Sequence, residues 1–137
     1  MEFTINYVGV SIASVVTIVL GFLWYGPLFG KQWIALMGFT GEQTDKAKEK
    51  GVAASYMGMV ITTVLMTYVL AMFLQLGNAI TVANGLVVAF LLWLGFVMTT
   101  QASGIFWEGK PWSLFFLNTA YSLLAILLAA WILIWWQ

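Results

Sequence analysis

The chain contains no cysteine and no histidine, and its five basic residues are all lysine, so arginine is missing too. The first absence excludes a disulfide framework. The second removes both the commonest transition-metal ligand and the usual general base near neutral pH. The third removes the bidentate clamp for phosphate and carboxylate. Charge of either sign is scarce: 7% of residues, where an ordinary soluble domain carries roughly a quarter. The five basic residues are balanced by five acidic ones, so no net charge is available to recruit nucleic acid, and none is expected as a partner. No metal centre and no cofactor are expected either.

What the chain has instead is oil. Of its 137 residues 63% are hydrophobic, and the mean hydropathy is +0.99. A soluble domain this small could not cover its surface with so few polar groups, so lipid is the fitting solvent. Residues 3–30, 51–107 and 111–137 carry no charge at all. A membrane-spanning helix needs about 20 predominantly apolar residues. Four spans are predicted in one domain covering 1–137, at about 5–25, 52–74, 81–103 and 112–135. Strands with open edges would leave backbone groups unsatisfied in lipid, so the fold class is all-α, an integral membrane four-helix bundle made of two hairpins. "QLGNAIT" (75–81) reads as a tight turn at Gly77-Asn78. The first span is expected to stay as an anchor. It lacks a positive n-region, and Leu23-Trp24-Tyr25 stands where small cleavage residues would be needed.

An even number of spans puts both termini and the 75–81 turn on one side, and the 26–51 and 104–111 connections on the other. Lys31, Lys46, Lys48, Lys50 and Lys110 all fall on the second side. The positive-inside rule then predicts that these connections are cytoplasmic and that both termini lie outside, in a bacterial inner membrane. Trp24, Tyr25, Trp33, Trp107 and Trp112 flank the expected inner interface, and Trp131, Trp135 and Trp136 the outer one. Trp93 is mid-span, which places it inside the bundle or at a subunit contact.

"KQWIALMGF" (31–39) groups Trp33, Ile34, Leu36 and Met37 along one side of a short interfacial helix. Thr40 and Gln43 have capping-box spacing, and Glu42 and Lys46 can pair at i,i+4. Gly9, Ala13, Thr17 and Gly21 form a four-residue stripe suited to close helix packing, as do Ala54, Gly58 and Thr62. Both stripes are open to packing within the chain or between subunits, and a homo-oligomer is expected. "GFLWYG" (21–26) and "GIFWEG" (104–109) echo each other at the two lysine-side corners, as a weak parallel repeat or as two aromatic–glycine interface caps.

Polar residues are concentrated near one place. Thr99, Thr100, Gln101 and Ser103 cluster at the inner end of span three, while Asn118, Tyr121 and Ser122 share one face of span four. They meet at similar depth beneath "FWEGKPW" (106–112), either as interhelical glue or as the lining of a water-filled vestibule. Glu108 and Lys110, two positions apart, would not face each other on a continuous helix, but a turn at Gly109 and Pro111 frees them. Glu108 is expected near the positive end of span four or opposite a lysine of the first connection.

"FLWYGPLFGKQWIALMG" (22–38) and "WLGFVMTTQASGIFWEGKPWSLFFLNTAY" (93–121) resemble a bacterial family of small four-span membrane proteins catalogued as domain of unknown function 1761. The resemblance covers essentially the whole chain. It implies signature roles for Trp24, Tyr25, Pro27, Phe29, Gly30, Lys31, Trp33, Glu108 and Asn118, with Gly26 where a serine is common. It brings no activity with it.

Three functions are weighed. The first is transport or permeation of a small solute or ion by an oligomer. The second is an accessory protein binding membrane lipids or a protein partner through its aromatic inner face. The third is an enzyme, which would need Glu108, Asp45, a lysine or an activated hydroxyl, and no base and nucleophile stand at a suitable spacing. Transport without catalysis is the expectation.

Overall fold

The structure is a computed structural model that describes residues 2–38, 42 and 52–137. Among these residues the chain is helical, without strands. Helix α1 (Tyr7–Leu23) winds on into a π-helical turn, Trp24–Leu28, and a short α2 follows (Gly30–Met37). Helix α3 spans Val52–Leu76. Helix α4 (Val82–Leu92), a second π-helical stretch (Trp93–Met98) and α5 (Thr99–Glu108) form one continuous rod. Helix α6 is Trp112–Trp135. Four helical rods, Tyr7–Leu28, Ala53–Leu76, Val82–Glu108 and Trp112–Trp135, are long and apolar enough to cross a membrane.

The third rod runs to Glu108, beyond the 103 expected for its span. Ser103 Oγ donates back to the Thr100 carbonyl at 2.7 Å, so its hydroxyl finds a partner without breaking the helix. Termination waits for Gly109, whose φ of 67° is the left-handed conformation that glycine tolerates best. Pro111 occupies the N-cap position of α6, just ahead of its first turn. At the other hairpin it is Asn78, not Gly77, that takes the left-handed φ of 51°. Gly77 serves closeness instead, because a Cβ there would come within 2.9 Å of Val88 Cγ2.

Both chain ends and the turn after α3 meet at one end of the bundle. Asn6 Oδ1 caps α1 by accepting from the N–H groups of Val8 and Gly9 at 3.0 and 3.2 Å, and its amide donates to the Trp136 carbonyl. Gln75 pairs through both amide atoms with the backbone of Thr4, and Gln137 Nε2 donates to the Ala79 carbonyl at 3.2 Å. Phe29, α2 and the Gly109–Lys110 corner occupy the opposite end, here called the lysine end.

The core is crowded into the half near the termini. Ala13, Ala89, Ala129 and Ala130 are wholly buried there, with Leu70, Leu74, Ile126 and Leu133 around them. Alanines on α6 let α1 and α4 approach it closely, which makes α6 the hub of the bundle. Glycines tighten the same contacts: a Cβ on Gly9 would lie 2.8 Å from Trp136 Cβ, and one on Gly85 would lie 2.7 Å from Ile134 Cγ1. One buried polar pair, Ser14 Oγ and Thr67 Oγ1 at 2.7 Å, ties α1 to α3, a bond of on the order of 1 kcal/mol or less. The stripe Gly9–Ala13–Thr17–Gly21 therefore lies within the chain's own packing, with Gly9 under Trp136 and Gly21 under Tyr121.

Toward the lysine end the rods separate. Helix α3 packs on α1, on α6 and on the start of α4, but it has no comparable packing with α5. Most of residues 53–65 are exposed, and no atom of the described residues lies within 4 Å of a Cβ on Gly58. Helix α2 folds back with Trp33, Leu36 and Met37 partly buried, while Ile34, expected on the same face, is exposed. The two corner echoes differ in backbone: Gly26 lies inside a π-helical turn and Gly109 is left-handed. The expected Thr40–Gln43 capping box and Glu42–Lys46 pair depend on positions outside the described residues.

Candidate functional site

Where the rods part, they enclose a cavity of about 1180 Å³ at the lysine end. Its walls come from the end of α1, from α2, from the first turns of α3, and from α5 and α6. The polar residues named from sequence divide sharply here. Tyr25, Trp33, Thr100, Gln101, Glu108, Lys110, Asn118 and Tyr121 line the cavity, as do Ser103 and Ser122. Thr99 does not: it is exposed, with its hydroxyl donating to the Gly95 carbonyl at 2.7 Å. Lys31 is exposed on α2, Trp107 is 88% exposed, and Trp112 stands outside against Phe106 and Phe115.

The centre of the wall is a bond that no sequence spacing announces. The Tyr25 hydroxyl donates to Asn118 Oδ1 at 2.8 Å across 93 positions of chain. Tyr25 can reach α6 because its helix loosens at that point. Pro27 lacks an N–H, and the chain widens into a π-helical turn closed by Phe29 N–H to the Trp24 carbonyl at 2.9 Å. Edge-on contacts to Tyr121 (centroids 5.1 Å apart) and Trp33 (5.3 Å) fix the Tyr25 ring. Gly21 makes room for Tyr121, since a Cβ there would lie 2.9 Å from its hydroxyl. Trp24 packs behind this layer on Phe29 and Tyr121, with a buried indole N–H that meets no acceptor among the described residues.

Asn118 keeps its amide donor free, and the Gln101 amide and Tyr121 hydroxyl likewise meet no protein partner among the described residues. Open hydrogen-bonding groups on a cavity wall of this size are places for water or ligand. The floor is closed. Trp93 Nε1 donates to the Thr119 carbonyl at 3.1 Å and to Ser122 Oγ at 3.0 Å, and the alanine-rich core lies beyond. Trp93 thus packs inside the bundle, against α6.

The mouth carries charge. Lys110 Nζ lies 3.1 Å from Glu108 Oε2, with both side chains more than half exposed. The left-handed Gly109 turns the chain so that its own N–H and that of Lys110 converge on the Gly104 carbonyl, bringing the two side chains to one side. One expectation for Glu108, a counterion from the first connection, gives way to Lys110. Glu108 is the last residue of α5, at that helix's negative end, and its counterion is Lys110.

Sequence reasoning missed the apolar part of the wall: Phe22, Met37, Tyr56, Met59 and Phe115. Nothing in their spacing separates a residue facing a cavity from one facing lipid. The one usable signal was Pro27, a helix-widening residue inside an apolar run.

The family model that matches residues 8–134 of the chain is DUF1761, described as a protein of unknown function. The chain belongs to this family. The DUF1761 match takes in all but the first and last residues of the four apolar rods, the Tyr25–Asn118 pair and the Glu108–Lys110 mouth. No curated protein and no solved structure matches the chain.

Proposed function

We propose that this DUF1761 protein binds an amphiphilic solute in a membrane-embedded vestibule, as the loading step of non-catalytic transport. The observation that carries this reading is the blind cavity itself. A chain with 7% charged residues gathers its free amides, a tyrosine hydroxyl and an ion pair onto one wall of it. The closed floor at Trp93 favours a carrier over an open pore. The non-catalytic reading is supported by the lack of a base beside the two cavity hydroxyls that meet no protein partner among the described residues, those of Tyr56 and Tyr121. Tyr25, Thr100, Ser103 and Ser122 donate to oxygens of the protein, and the one carboxylate lining the cavity among the described residues is paired with Lys110. By lysine placement the mouth faces the cytoplasm. Four spans make a thin wall, so several copies act together, and the unpacked face of Ala54, Gly58 and Thr62 is the surface available for that contact. An accessory role has one specific support, the exposed aromatic group Phe106, Trp107 and Phe116 beside the mouth.

The absence of cysteine makes the test direct. Asn118→Cys and Ser103→Cys in folded protein in liposomes should react with a membrane-impermeant maleimide applied from the lysine side. Ala129→Cys, at a wholly buried position, should not. Protection of Asn118→Cys equal to that of Ala129→Cys would sink the vestibule. A labelled vestibule with no solute flux above that of empty liposomes would sink transport and leave binding.

A further inference from the structure

We infer that the ligand of the vestibule is a zwitterionic glycerophospholipid, drawn sideways from the adjoining leaflet between α3 and α5, with its headgroup across Glu108 and Lys110. The inference rests on the vestibule reading and adds the identity of what fills it.

Size is the first argument. Sites for drug-sized ligands run to about 1,000 Å³, and this cavity of about 1180 Å³ exceeds them. Charge is the second. Among the described residues, Glu108 and Lys110 are the charged side chains of the lining, 3.1 Å apart and open to solvent. A purely anionic or cationic solute would satisfy one and repel the other. A headgroup carrying both phosphate and ammonium engages each: phosphate on the Lys110 ammonium, ammonium on the Glu108 carboxylate.

Depth is the third. Gln101 lies seven residues before Glu108, and Asn118 seven after Pro111, so both amides stand roughly 10 Å beneath the mouth at about 1.5 Å per residue. The headgroup layer of a bilayer is roughly 5–7 Å thick on each side, from the difference between its full and hydrocarbon thicknesses. The free amide donors of Gln101 and Asn118 therefore come a few ångströms below the headgroup layer, within reach of a lipid's ester carbonyls, which are acceptors. Below the mouth the wall supplies Phe22, Met37 and Met59 for the acyl chains.

The route is the fourth. Tyr56 and Met59 on α3 face the same space as Thr100 and Ile105 on α5, yet the two helices do not pack together. The closed floor at Trp93 denies the chains a straight path down, so they leave through this gap into the leaflet.

The test is native mass spectrometry of the full chain released from mixed micelles with equal phosphatidylethanolamine and phosphatidylglycerol. The wild type should retain phosphatidylethanolamine at least threefold over phosphatidylglycerol. Glu108→Gln, which leaves Lys110 alone, should reverse that preference. Ser103→Trp, which narrows the gap, should lower total retained lipid, whereas Thr99→Val, outside the cavity, should change neither. Equal retention by the wild type, with Asn118→Cys still labelled, overturns the lipid and spares the vestibule. An unlabelled Asn118→Cys overturns both. A preference untouched by Glu108→Gln and Ser103→Trp places the lipid on the outer surface and overturns the inference, as does displacement by soluble glycerophosphoethanolamine.

Discussion

Whether the vestibule is wet can be read from one hydrogen bond. Tyr25→Phe removes the hydroxyl that donates to Asn118 and leaves the ring on its contacts with Trp33 and Tyr121. If water reaches the wall, it replaces the lost donor, and the measured coupling stays small. If the site is dry, the Asn118 oxygen is stranded and the loss is about 1–3 kcal/mol. Polar couplings between helices in a membrane average about 0.6 kcal/mol and reach about 1.7. A cycle of Tyr25→Phe, Asn118→Ala and the double variant should therefore return a coupling at or below ~0.6 kcal/mol. The assay is reversible unfolding in mixed dodecyl maltoside and dodecyl sulfate micelles, followed by tryptophan fluorescence. A coupling above ~1.7 kcal/mol would refute the wet wall and the vestibule with it.

Gly9→Ala should lower stability by about 1–3 kcal/mol in the same assay, since its Cβ meets Trp136 Cβ and backbone rather than a movable side-chain end. Gly26→Ala, with nothing within 4 Å, should leave the unfolding midpoint within error of wild type. Gly109→Ala forces alanine into a left-handed conformation and should cost about 1–2 kcal/mol, seen as a lowered midpoint with folding retained. Glu108→Gln should change stability by less than about 1 kcal/mol, because the pair is exposed; a larger loss would mean the carboxylate is structural.

The four rods were legible because hydropathy reports directly on transfer into lipid, and charge-free runs mark where water is absent. The meeting of the termini with the 75–81 turn followed from the even count of spans. The polar cluster was legible only in part. Helical periodicity placed Asn118, Tyr121 and Ser122 on one face, and they share one wall. Nearness along the chain, and not periodicity, grouped Thr99 with Thr100, although adjacent helical positions differ by about 100° and only Thr100 lines the cavity. The Tyr25–Asn118 bond was illegible because it depends on how far the Trp24–Leu28 turn widens, a property of backbone hydrogen bonding. The separation of α3 from α5 was hidden for another reason: apolar residues facing lipid, cavity and core share one composition.

A bundle packed at one end and parted at the other is a lever. Thr67, wholly buried and bonded to Ser14, lies on α3 where packing is tight, and the helix runs on from there to Val52. That arm is roughly 22 Å long at 1.5 Å per residue, so a tilt of about 5° moves its free end by ~2 Å. Such a tilt repacks no buried core side chain among the described residues, because the moving half carries none and its ring contact, Tyr56 on Phe22, lies outside the core. Helices adjust to a thinner or thicker bilayer by tilting. A tilt of α3 therefore changes the width of the gap between α3 and α5 while the packed end stays in place.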